Sequence, residues 1–232
     1  MSASTTTVSA VCWSCGAANP GEHFCSLCGK IQPLPREADY FAYFGLPQKL
    51  GIDAGDLEQR FHSLSWKLHP DNFVRATEAE RKLSLDRSSQ LNDAYRALAD
   101  PIARVEYLLG HEGMRKEGQQ KQQAPPELLE EVFELNESLD ELRSARQAGG
   151  DAAEMARLSK TLESAEKHFE GKLAGVDSEL QKSFCDWDSA LDAGADTTAR
   201  RKLLDQMNAA LNRRSYIRNL VAGVRKELAE SN

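Results

Sequence analysis

Apolar side chains recur at helical spacing through most of the chain. Leu57, Phe61, Leu64 and Leu68 fall about one turn apart, and Leu91, Ala94, Tyr95 and Leu98 repeat the pattern further on. Each set therefore lines one face of an α-helix. Asp53 or Asp56 can cap the first helix. Pro70 must end it near Leu68, because proline lacks an amide hydrogen and pushes the preceding residue out of helical geometry. A short aromatic helix in "DYFAYFG" comes before it, closed by Gly45 and Pro47. After a loop at 69–77, "EAERKLSLDRSSQLNDAYRALAD" forms a longer helix, and Pro101 opens another through "PIARVEYLLG" that ends at Gly110.

Beyond residue 126, helix breakers are confined to Gly149-Gly150 and "GAD" at 194–196. The segment divides into three helices of about 20, 40 and 35 residues, which short connections pack as an antiparallel bundle. Strand-like alternation is absent outside the first 36 residues. Four segments result. Residues 1–36 are poor in helix formers, carry the turn signal Asn19-Pro20-Gly21 and close in the prolines of "QPLPRE". Residues 37–111 are helical, 112–126 ("EGMRKEGQQKQQAPP") are a polar linker, and 127–232 are the bundle. The fold class is mainly α.

Composition narrows the function classes. The 232 residues are 41% hydrophobic and 28% charged, ordinary for a globular chain, and the net charge of −7 argues against a general nucleic-acid binder. No apolar run approaches the ~20 residues of a membrane-spanning helix. The opening "MSASTTTVSA" has neither the charge nor the apolar core of a signal or transit peptide. A cytoplasmic location is expected, or an organelle matrix if a eukaryotic precursor has been trimmed.

Four of the five cysteines lie within residues 12–28, as "CWSC" (Cys12, Cys15) and "CSLC" (Cys25, Cys28) with nine residues between the hooks. Clustering of this kind points to a metal and not to a disulfide framework. Two CxxC hooks close a tetrahedral sulfur site, for which structural zinc is the first choice. A segment this small has no apolar core of its own, whereas structural zinc contributes ~10–16 kcal/mol of apparent binding free energy. With four sulfurs present, His23 is expected to face solvent or support the ligands from behind. Cys185, alone in the bundle, is expected to be a buried small apolar residue.

"KLHPDNF" at 67–73 admits three readings: a catalytic His69/Asp71 pair, a bare helix stop, or a docking surface. No nucleophile, glycine-rich phosphate loop or serine elbow accompanies it, so no catalytic residue is assigned. Arg60 and Lys67, seven residues apart on the outer face of the preceding helix, read from the residues alone as a solvated face.

The pieces "DYFAYFGLP", "HPD" at 69–71 and "LNDAYRALADPIARVEYLLG", followed by "PELLEEVFELNESLDELRSA" and a three-helix tail, resemble the J-domain co-chaperones of the HscB (Hsc20-like) family. Some members also carry an N-terminal tetracysteine knuckle. The resemblance spans nearly all of residues 10–230. It implies that His69, Pro70 and Asp71 dock on a DnaK/HscA-type ATPase and promote its ATP hydrolysis, while Arg60 and Lys67 steer the encounter. Trp66 falls off the apolar stripe, so that either an aromatic partner contact or partial burial against the next helix is open to it. The resemblance further implies that the bundle holds an IscU-type iron–sulfur scaffold through Leu128, Leu129, Phe133 and Tyr216. Glu130 departs from the family, standing where a large apolar residue is usual. A second function from the same residues is a general J-protein adaptor for unfolded clients, with the knuckle as the client-binding module. Neither reading involves nucleic acid or membrane, and both leave self-association open.

Overall fold

The computed structural model describes residues 11–19, 21–33, 39–115 and 125–230. The N-terminal ten residues, the "LPREA" portion of the first proline stretch, and residues 116–124 of the expected linker lie outside the described residues. The chain divides into two compact units, Met1–His111 and Glu112–Asn232.

In the first unit, α1 (Tyr40–Tyr43) is a single turn capped by Asp39 and closed at Gly45, whose φ of +64° only glycine adopts without strain. Helix α2 (Ala54–Leu68) starts at Asp53, whose carboxylate accepts the Asp56 amide at 2.7 Å. It ends at Leu68, two residues before Pro70, with His69 in the extended conformation that a following proline imposes (φ −57°, ψ 131°). A 3-10 turn, Pro70–Phe73, leads to α3 (Glu78–Ala99), and α4 (Pro101–His111) follows at once. Helices α2 and α3 form the hairpin. Leu57, Leu68, Leu91, Ala94 and Leu98 fill its core, and Phe61 stacks on Tyr95 with ring centroids 4.3 Å apart. Arg104 of α4 is buried and satisfied by backbone, its Nε donating to Leu98 O at 2.7 Å and its Nη1 to Leu50 O.

The second unit contains α5 (Leu129–Ala148), α6 (Ala152–Asp192) and α7 (Thr197–Ala229), of 20, 41 and 33 residues, close to the lengths expected. Gly149 and Gly194, both at positive φ, make the two reversals, and the helices run antiparallel. Asp151 and Asp196 cap α6 and α7. Ion pairs fix the register at the surface. Glu131 of α5 meets Lys172 at 2.8 Å on α6, Arg143 of α5 meets Glu227 at 2.6 Å on α7, and Arg214 of α7 meets Asp177 at 2.6 Å on α6. Each such partly exposed pair contributes modestly alone, but alternating signs exclude a slipped pairing. Cys185 corrects the sequence expectation. It lies on the exposed side of α6, between the buried Phe184 and Trp187, and plays no part in the core.

Candidate functional site

At the end of α2 the last carbonyls have no helical partner, and side chains from beyond the turn take them up. Asn72 donates Nδ2 to Trp66 O at 2.6 Å, while Ser84 and Ser88 of α3 both donate to Leu68 O, at 2.6 and 3.1 Å. Phe73 is buried beneath the turn. The tip is therefore built rigidly from below, and its upper surface is left to solvent. His69 and Asp71 are exposed, with His69 Nδ1 accepting the Asp71 amide at 3.3 Å and lying 3.5 Å from its carboxylate. Asn72, Ser84 and Ser88 carried no signal in the apolar periodicity, because their role is to satisfy orphan backbone groups across the hairpin.

The residues expected to surround the tip divide. Lys67 is exposed, with no ion-pair partner among the described residues. Arg60 is half-buried, donating Nε to Asp56 at 2.8 Å and Nη1 to Phe44 O at 3.0 Å, so that its guanidinium ties α2 to the end of α1. Trp66 is not packed against α3. It is 79% exposed, which excludes the burial alternative for this side chain.

The two cysteine hooks are copies of one fold offset by thirteen residues. Cys12 N donates to Ala17 O and Gly16 N to Cys12 O in the first, and Cys25 N to Lys30 O and Gly29 N to Cys25 O in the second. Isolated bridges Val11–Ala18 and Phe24–Ile31 close the two loops, and Gly16 and Gly29 share a φ near +70° (71° and 69°). Among the described residues these bridges are the only strand-like pairing. The four sulfurs all lie within 4.8 Å of one another, with Cys12–Cys28 at 3.6 Å and Cys15–Cys25 at 3.7 Å. A tetrahedral sulfur site with bonds of about 2.3 Å has edges of about 3.8 Å, so these residues fit a metal ion. Gln32, itself buried, donates Nε2 to Cys12 Sγ at 3.3 Å and stabilises thiolate character there. Without a cation the thiols cannot all ionise together. Burial opposes the Cys12 thiolate, yet hydrogen bonds from the Cys15 and Ser14 amides and the neighbouring thiols bring its pKa down to about 6. The Ala17 amide favours the Cys15 thiolate, but burial and the other three sulfurs push it up to about 12.

His23 is neither a ligand nor a solvent-facing residue. Half-buried, it points from the knuckle into the hairpin, with Nε2 2.9 Å from Tyr43 O and Nδ1 against Arg87 Nη2. Burial foremost, then the neighbouring Arg87 charge, lower its pKa to about 4. The imidazole is thus neutral, with its proton on Nε2. Lys30 makes the second bond between knuckle and hairpin, its Nζ 2.8 Å from Glu80 Oε1. The hydrogen bond from Lys30, and then those from Thr77, hold the Glu80 carboxyl below its ordinary value of 4.5. A depressed folded-state pKa adds stability above the unfolded value, and that stability is lost as pH falls through the folded one. The thermal midpoint of the wild type should therefore exceed that of Glu80→Gln at neutral pH, and the difference should shrink as melts are recorded at pH values progressively below the ordinary carboxyl range.

On the bundle, the expected patch is split. Leu128 turns inward from the 3-10 turn ahead of α5 and is only 4% exposed, so it belongs to the core with Val132, Leu135, Leu139 and Leu142. Leu129 and Phe133, one turn apart, are 55% and 64% exposed beside this buried stripe, with Glu130 exposed next to them. Tyr216 of α7 is half-buried. None of the described helices is long and apolar enough to cross a membrane.

No protein-family model matches the chain. A co-chaperone protein HscB homolog from Vibrio vulnificus is 36% identical over 155 residues, covering 66% of this chain and 85% of that protein. Another from Photobacterium profundum is 30% identical over 175 residues, covering 75% and 95%. Among solved structures, chaperone HscB from Vibrio cholerae superposes with a TM-score of 0.53 at 25% identity, over 81% of this chain and 96% of that one. The crystal structure of human co-chaperone protein HscB matches in fold, with a TM-score of 0.58 at 23% identity over 93% and 97%. An exposed His-Pro-Asp tip on a helical hairpin, a helical bundle behind it in sequence, and relatives matched over most of their length together assign this chain to the HscB family of co-chaperones.

Proposed function

We propose that the chain is a J-type co-chaperone of iron–sulfur cluster assembly. In this reading residues 37–111 stimulate the ATPase of a DnaK/HscA-type chaperone, and residues 127–232 deliver an IscU-type scaffold protein to it. The protein breaks no bond itself; it acts by binding two partners and so couples ATP hydrolysis in one to cluster transfer from the other. The observation that carries the reading is the exposure of His69 and Asp71 on a turn whose underside is fully engaged. Lys67 supplies an unpaired positive charge for encounter, an effect that salt screens. Arg60 contributes less to steering than Lys67, since Asp56 already neutralises it. Leu129 and Phe133, with the edge of Tyr216, are the apolar contact for the scaffold. Residues 1–36 hold zinc, to which an all-thiolate tetrahedral site is suited. The compartment is the cytoplasm.

The test is the chaperone's steady-state ATPase rate with this protein and scaffold titrated together. Stimulation by the pair should exceed the sum of their separate effects. Leu129→Ala with Phe133→Ala should abolish the synergy and scaffold pulldown while leaving stimulation by this protein alone intact. Additive rates with wild-type protein would contradict the delivery role.

A second reading has its own observation. Val11 and Leu27 are well exposed on the knuckle and Trp13 partly so, an apolar surface that a client-binding module needs. As a general adaptor the protein would bind denatured client through this surface, and Leu129 and Phe133 would be irrelevant to capture.

A further inference from the structure

The buried stripe of α3 changes character along its length. Leu91, Ala94 and Leu98 are apolar, but the N-terminal half, at the same helical spacing, is Glu80, Ser84 and Arg87. All three are buried, Arg87 to 1% exposure. Ser84 reaches Leu68 O beneath the tip. The other two are charged and reach the knuckle. Glu80 stands at the third position of α3 and closes a capping box with Thr77, taking the Thr77 amide at 3.2 Å and its hydroxyl at 2.8 Å on Oε2. Its other oxygen takes Lys30. Arg87 has no carboxylate partner among the described residues. Its guanidinium lies 4.7 Å from the Tyr43 ring centroid and against His23, while Nε and Nη1 have no hydrogen-bond partner. Buried charges of this kind are costly unless compensated, and here the compensation comes from residues 23 and 30 of the knuckle and from Tyr43, whose ring faces the Arg87 guanidinium.

These contacts sit where the tip is anchored. Residues 69–76 leave α2 at Leu68 and rejoin the helix through the Thr77–Glu80 cap. Ser84 holds the first anchor, and Lys30 reaches the carboxylate that makes the second. We propose that the tetracysteine knuckle is a positioning element for the His-Pro-Asp tip, with Lys30, through Glu80, fixing the return end of the tip loop. Rigidity matters because a docking residue held in its bound geometry loses less freedom on association. The knuckle is then a working part of the hairpin and not an appended module, and this inference rests on the tip being the ATPase-docking point.

Lys30→Ala and Lys30→Arg in the full metal-loaded chain test it, with His69→Gln alongside. Lys30 is partly exposed, so both variants keep the fold. Two quantities are read: amide exchange at 72–81, and the concentration giving half-maximal stimulation of the DnaK-type ATPase. Lys30→Ala should speed exchange in this stretch and raise the half-maximal concentration roughly fivefold, with bound metal unchanged. Lys30→Arg should restore both by keeping the charge pair. If Lys30→Ala matches wild type in exchange and half-maximal concentration while His69→Gln loses stimulation, the positioning role is refuted and the docking function stands. If His69→Gln stimulates normally, the docking function fails, and exchange at 72–81 alone decides whether the knuckle orders the loop.

Discussion

Replacing His69 with glutamine should reduce stimulation of the partner ATPase by tenfold or more, about 1.4 kcal/mol of coupling, without altering the circular dichroism or melting of the protein. The fold is indifferent because His69 is exposed and its ring contacts, Nδ1 to the Asp71 amide at 3.3 Å and to the Asp71 carboxylate at 3.5 Å, are long and solvent-accessible. The proposed docking function is not indifferent. Pro70 fixes the backbone, Asn72 N closes on His69 O at 3.0 Å, and Nδ1 is turned towards Asp71. The ring therefore presents its Nε2 edge outward at a set angle. Glutamine can offer similar donor and acceptor atoms, but on a chain with an additional rotatable bond and no ring, so it must be ordered on binding. Few residues carry most of an interface's energy, and rigid central groups are commonly those. Lys67→Ala makes the contrast: a rim charge should slow association and flatten the salt dependence while preserving maximal stimulation. A His69→Gln protein with undiminished stimulation would remove the docking assignment altogether.

The sequence made the helices legible because their signals are local. Apolar spacing in α2 and α3, Asp53 at a cap, Pro70 as a stop and the double glycine at 149–150 each act within one or two turns, and each is realised. The gathering of the four sulfurs was legible for the same reason, since a CxxC hook is a four-residue object. What escaped depends on pairings across long stretches of chain. Lys30 meets Glu80 fifty residues on, and His23 meets Arg87 sixty-four residues on. Glu80, Ser84 and Arg87 look like a solvated face until the knuckle that covers them is in place. Around the start of α5, apolar residues fall in adjacent pairs, so spacing alone cannot say which member turns inward; the structure sends Leu128 and Val132 to the core and Leu129 and Phe133 to the surface. Cys185 failed by the same ambiguity, one position from a buried Phe184.

Stripping the metal that the four sulfurs are proposed to hold should produce the largest physical change in the molecule and confine it to one unit. Residues 11–33 have few means of holding together otherwise. Their buried apolar side chains are Cys12, Cys25 and Ile31, and two of these three belong to the sulfur cluster that could hold a metal ion. Against ~10–16 kcal/mol from a structural metal site, the two isolated bridges and a handful of turn hydrogen bonds cannot maintain the knuckle. Once it opens, Glu80 loses Lys30 and Arg87 loses His23, leaving the upper half of α3 with buried charges that lack their compensation. Chelator treatment should therefore lower the melting transition of the unit ending at His111 and leave that of the unit from Glu112 onward in place. Thiol counting gives an independent readout. A bulky disulfide reagent should label only the exposed Cys185 in the metal-loaded protein, and all five cysteines after chelation. Cys25→Ser should behave as the chelated protein does, with the remaining thiols reactive from the start. Retention of slow exchange at the Cys12 and Cys25 amides after complete metal removal would mean that the knuckle folds by itself, and that its sulfur cluster serves some end other than structure.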